Sequence, residues 1–141
     1  MMTNFQLHPR LQQDTLVVGQ FTLSGLFMMN DCNYPWFILV PMRAGITEIY
    51  QLSQADRQTL WAESCLLAEK LQLIYQPDKL NIASIGNIVS QLHLHHVARF
   101  RRDLAWPAPV WGKFPAQPYP EERADAEIAK MRAALSAALV D

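Results

Sequence analysis

Gln91-Leu92-His93-Leu94-His95-His96-Val97 holds three of the four histidines of the chain. Read as a strand, its period of two puts Gln91, His93 and His95 on one face and Leu92, Leu94 and His96 on the other. Same-face neighbours then stand roughly 7 Å apart, and the alternating apolar residues tie the row to a core. An imidazole with an unperturbed pKa of about 6.5 is partly neutral at physiological pH, so it serves as nucleophile, acid or base. A His-x-His strand also presents two metal ligands, but a metal needs a third, and the local sequence offers no obvious one. His8 and His96 are candidates only if the fold brings them in, and His96 is expected to face away. A pair of histidines on a strand is often plain surface. From these residues alone surface, metal and catalysis stay open.

Outward from the histidines, Val89 to Phe100 reads as the strand that carries them. The preceding Gly86-Asn87 turn offers close backbone N–H groups, since glycine lets the backbone approach a ligand. Leu80 to Ile85 is the strand before it. A helix precedes that strand: Ser53 and Asp56 resemble a capping box, and Leu60, Leu67, Leu71 and Ile74 fall at helical spacing with Trp61 and Ala68 beside them. Gln76-Pro77-Asp78 ends that helix. Cys65 falls in mid-helix, a position that predicts burial.

The N-terminal part reads as strands at Leu16–Phe21, Leu23–Met29 and Trp36–Val40, with Gly25 weakening the second or marking a bulge. The third is unbroken and apolar, as in a strand covered on both faces, and Pro41 stops it. Asn30 to Pro35 is a turn cluster. After the histidines, five of the nine prolines fall between Pro107 and Pro120, which predicts an extended, irregular surface segment. A second helix over 120–139 starts at Pro120, with Glu121 and Glu122 at its positive end and Ile128, Met131, Leu135 and Leu139 as its apolar stripe. Arg99, Arg101 and Arg102 read as a solvated strand end. Trp106 and Trp111 are suited to stack on a base or to pack across a dimer, and packing is the preferred reading.

The order predicts an α+β domain spanning 1–141, with an antiparallel sheet of about five strands, a central amphipathic helix and a C-terminal helix. A length of 141 residues with 50% hydrophobic and 18% charged residues gives one globular core. The net charge of −1 leaves no electrostatic face for nucleic acid. No apolar run is long enough for a membrane span, and no signal peptide is evident. Two cysteines, Cys32 and Cys65, form no CxxC pair. A cytoplasmic protein is the expectation.

From Gly86 to Val97 the sequence resembles the signature of the histidine triad (HIT) superfamily, His-φ-His-φ-His-φ-φ with φ apolar, after a glycine turn. The resemblance covers about residues 24 to 111 and is strongest over 81–111. It implies a HIT-like fold, usually a homodimer, that binds a small-molecule nucleotide without a cofactor and cleaves or transfers at the α-phosphate. It implies that His93 is the nucleophile, forming a nucleotidyl-histidine intermediate, and that His95 contacts the phosphate. Asn81 falls where the family often contacts the α-phosphate or ribose, and Asn30, or else Asp31, is placed to hold the ribose hydroxyls. Three positions depart from the pattern. Gln91 stands for the first histidine and orients a neighbour through its amide without shuttling a proton. Ile88 replaces a hydroxyl residue, and Trp36 replaces a histidine at the start of the apolar strand. The alternatives are a non-catalytic nucleotide sensor and a metal-binding protein built on His93 and His95.

Overall fold

The computed structural model describes residues 4–140. Its elements are α1 (Pro9–Asp14), β1 (Thr15–Gln20), β2 (Ser24–Met29), β3 (Trp36–Pro41), α2 (Gln54–Tyr75), β4 (Lys79–Ser84), β5 (Leu94–Arg99) and α3 (Glu121–Ala134). The strands form one antiparallel sheet in the order β1-β2-β3-β5-β4. This is the expected α+β architecture with its five strands.

The central strand β3 is buried at every position, because both faces of the sheet are covered. On one face, Phe37 and Leu39 of β3 pack with Leu60, Leu67 and Leu71 of α2 and with Met131 and Leu135 at the end of α3. On the other, Trp36, Ile38 and Val40 pack with Leu11 of α1, Val89, Ala105 and Val110. Helices cover the first face; α1 and loops cover the second. Loop cover leaves gaps, and the histidine row opens into one of them.

Several expectations need correction. The strand predicted over Val89–Phe100 begins only at Leu94, because residues 86–93 bend irregularly, seating Val89 on the loop-covered face and Leu92 on the helix-covered one. The irregularity of the N-terminal hairpin lies in β1 between Val17 and Gly19, whereas Gly25 pairs regularly with Gln20 and Val40. Pro41 is the last residue of β3, opposite Ser24. Ser53 does cap α2, accepting from the Asp56 N–H at 3.1 Å. The Asp56 carboxylate instead binds the Arg43 guanidinium at 2.8 Å, so the reciprocal half of the capping box is not made. Trp61 is 70% exposed and Cys65 is exposed as well, both on the face of α2 turned away from the sheet.

The C-terminal helix stops at Ala134, with Pro120 as its N-cap, and the chain continues in turns to seat Leu135 and Leu139 against the core. Its last residues close the free edge of β1: the Val140 N–H donates to the Gln20 carbonyl at 2.7 Å, and Arg132 donates to the Val18 carbonyl. Among the described residues no helix is long and apolar enough to cross a membrane.

Arg99 is the largest departure. It is buried, 2% exposed, and not a solvated strand end. Its guanidinium donates to both Asp103 oxygens at 2.9 and 3.1 Å, to the Asn81 side-chain oxygen at 2.8 Å and to the Ala108 carbonyl at 2.8 Å. The Tyr34 and Trp106 rings stand within 5.8 Å of it. Asp103 in turn accepts from the backbone N–H groups of Phe100, Ala105 and Trp106. This network anchors the start of the proline-rich segment and brings Trp111 over the histidines.

Candidate active site

His93, the last residue before β5, and His95, within it, stand on the loop-covered face. Their rings meet edge to face with centroids 4.8 Å apart, closer than same-face strand spacing, because His93 lies just outside regular strand geometry. With Trp36, Trp111, Met29 and Asn87 they line a cleft of about 330 Å3, its far wall supplied by Arg10 and Asp14 of α1. The lining is mainly apolar with a few polar groups, the usual composition of a small-molecule site. A larger hollow of about 510 Å3 lies between α2 and the β1–β2 turn, but it contains none of the histidines. Its carboxylate, Glu63, accepts from the Leu23 N–H at 2.9 Å. The histidine cleft is the candidate site.

The two rings have opposite tautomers, set by fixed neighbours. His93 Nδ1 lies 2.7 Å from the Gln91 carbonyl oxygen, which only accepts, so Nδ1 carries the proton and Nε2 keeps its lone pair. His95 Nδ1 lies 3.0 Å from the indole nitrogen of Trp36, which only donates, so here Nδ1 is the acceptor and the proton sits on Nε2. Burial pushes the His95 pKa down to about 3, with the neighbouring His93 adding to the effect. His95 is therefore a neutral N–H donor across the physiological range. His96 points to the helical face as expected. It is fully buried, its Nδ1 donates to the Leu94 carbonyl, and its Nε2 accepts from Ser64 of α2 at 2.7 Å.

The other expected site residues separate into those at the cleft and those held elsewhere. Asn87 lines it, and Gly86 is in the same turn. A Cβ on Gly86 would come within 2.9 Å of the Val89 carbonyl, so the close approach that requires glycine is made by the chain itself. The Gln91 side chain does not face His93. Its amide donates to the Gln6 carbonyl at 2.8 Å and accepts from the His8 N–H at 2.9 Å, which pins the segment leading into α1. The contact to His93 comes from the Gln91 backbone. Asn81 shares the histidine face, but its oxygen is taken by Arg99. Asn30 accepts from the Tyr119 N–H at 2.8 Å and Asp31 from the Gln117 N–H at 3.2 Å, so both tie down the proline-rich segment.

Sequence reasoning missed α1, and with it Arg10 and Asp14 at the cleft. The available signal was His8-Pro9: the His8 ring accepts from the Arg10 N–H, and Pro9 occupies the first helical turn. A metal ion would need a third ligand beside His93 and His95. Among the described residues no group of three His, Cys, Asp or Glu side chains is arranged to hold one.

A sequence model of the HIT domain matches residues 10–102. Among solved structures, a histidine triad protein from Marinobacter aquaeolei VT8 superposes with a TM-score of 0.93 at 46% identity, covering 95% of this chain and 98% of that one. One from Sinorhizobium meliloti 1021 gives 0.93 at 41% identity, covering 96% and 100%. One from Bradyrhizobium japonicum gives 0.90 at 39%, covering 92% and 96%. No curated protein matches.

Proposed function

The chain belongs to the HIT domain family, and from that premise we propose that it is a nucleotidyl hydrolase or transferase whose nucleophile is His93. The observation that carries this reading is the 2.7 Å bond from His93 Nδ1 to the Gln91 carbonyl, which leaves an unprotonated Nε2 on a ring lining the cleft. Nε2 attacks the α-phosphorus of a nucleoside phosphoester or phosphoramidate. A P–N bond forms, and the leaving group departs with the electron pair of its bond to phosphorus and takes a proton from water. Water, or an acceptor alcohol or amine, then attacks phosphorus, gives up a proton to solvent, and breaks the P–N bond to release His93 with its lone pair restored. The His95 Nε2–H donates to a non-bridging phosphoryl oxygen, where charge grows as the attack proceeds. Asn87 and the N–H groups of the Gly86 turn hold the nucleotide, while Met29 and Trp111 face its apolar parts.

The test is incubation with a nucleoside phosphoramidate, a dinucleoside polyphosphate and an adenylylated amine, with mass spectrometry of the quenched protein. A nucleotidyl adduct on His93 and loss of turnover in His93→Asn are expected. Nucleotide affinity should stay within about tenfold, or roughly 1.4 kcal/mol, because binding is spread over several groups. AMP binding without turnover of any of the three would favour the non-catalytic sensor. Stoichiometric metal lost on His95→Ala would favour the metal-binding reading.

We also propose that the chain pairs with a second copy of itself. The outer edge of β4 carries no strand among the described residues. Ile82 on that strand is 46% exposed. An open edge carrying an exposed apolar side chain is a surface suited to a two-fold partner.

A further inference from the structure

We propose that Trp36 is a positioning residue for the phosphate-contacting histidine: its indole N–H holds His95 as the Nε2–H tautomer. The role in turnover rests on the nucleotidyl-transfer reading above; the tautomer itself does not.

An isolated neutral imidazole exchanges its proton between two nitrogens, and only one of the two forms donates from Nε2. A donor fixed at Nδ1 removes that freedom. Trp36 is suited to the task because indole has a single N–H and no acceptor, so it can neither accept from Nδ1–H nor tolerate a proton there. The contact is 3.0 Å, with Trp36 7% and His95 4% exposed, so water does not compete for either nitrogen. The indole is itself held. It starts β3, opposite Val97, and its ring packs edge-on against Tyr34 and Trp111 at 6.3 and 6.0 Å. His95 is gripped between Trp36 at 5.7 Å and Trp111 at 5.3 Å.

The arrangement has a chemical consequence for the pair of histidines. His93 and His95 are in ring contact, and two identical tautomers would present the same nitrogen character to a phosphate. The Gln91 carbonyl forces one ring to offer a lone pair at Nε2, and Trp36 forces the other to offer a proton there. Nucleophile and donor are thus distinguished before any ligand arrives, with no charge on His95 and no carboxylate partner.

The proposal is tested by nitrogen-15 NMR of the histidine side chains in the wild-type protein and in Trp36→Phe, at neutral pH and without nucleotide. The wild-type His95 ring is expected to be protonated at Nε2 alone, and the Trp36→Phe ring to show a mixture of tautomers. A second measurement is the single-turnover rate with a nucleoside phosphoramidate. It should fall by about two- to tenfold in Trp36→Phe, the size of one neutral hydrogen bond. A wild-type ring protonated at Nδ1 overturns the proposal even if the variant does not fold, and so does a Trp36→Phe protein with an unchanged tautomer. A locked wild-type tautomer in a protein that turns over no nucleotide would retain the lock and refute the enzymatic reading.

Discussion

Lowering the pH should destabilise this fold through a histidine outside the candidate site. His96 is fully buried beneath α2 between the Leu94 carbonyl and the Ser64 hydroxyl. Burial lowers its pKa from 6.5 to about 4 in the folded state. The unfolded chain therefore binds a proton at His96 before the folded one does. Stability from this site is fully present above pH 6.5 and is lost progressively as pH falls toward 4. At ~1.4 kcal/mol per unit, the difference amounts to about 3 kcal/mol. His95 acts in the same direction, and Glu63, whose pKa burial raises, acts in the opposite one. The His96 share is isolated by comparing wild type with the double variant Ser64→Ala/His96→Leu, which removes both polar partners together. Urea unfolding at pH 7, 6, 5 and 4 measures it. The wild type should lose about 3 kcal/mol more than the double variant over that range. Parallel stability curves, or a His96 ring that titrates near its ordinary value by NMR, would refute the reasoning.

Arg99→Met should cost ~3–5 kcal/mol in urea unfolding, because it leaves the buried Asp103 carboxylate without its cation; a loss below ~1 kcal/mol would mean that Asp103 is solvated. Gln91→Ala should keep the single-turnover rate within about twofold, since the carbonyl that orients His93 belongs to the backbone, while hydrogen exchange at His8 speeds up. A rate as low as that of His93→Asn would show that the amide acts on the site. Light scattering at micromolar concentration should give twice the 16.1 kDa chain mass, and Ile82→Asp should shift it toward the monomer; a wild-type monomer contradicts the pairing.

What was legible in the sequence follows the strength of the local signal. β3 and α2 were readable because an unbroken apolar run and a 22-residue helix with buried leucines leave few alternatives. The alternation within Leu94–Val97 correctly separated His95 from His96. The same alternation continued one step further reaches Arg99, and that was the signal for its burial. A count of basic residues concealed it, because the compensating Asp103 lies beyond the strand. Trp61 and Cys65 misled because a helix stripe read from a sequence does not say where the covering sheet ends. The Gln91 side chain was illegible because its partners, Gln6 and His8, lie more than eighty residues away, whereas α1 had a local signal in His8-Pro9. The tautomer of His95 required a contact between β3 and β5, 59 residues apart in sequence.

The two borders of the sheet are not equivalent. At β1 the backbone acceptors of Val18 and Gln20 are already engaged by Arg132 and Val140, whereas among the described residues no strand pairs with the outer side of β4. A strand-to-strand union of copies can therefore use only the β4 side of each. Two copies joined there present only closed β1 borders at both ends, so the addition stops at a pair. Under the proposed pairing, the residues that cover β1 would act as a terminator of growth, and a two-copy particle, rather than an endless ribbon, is the expected outcome.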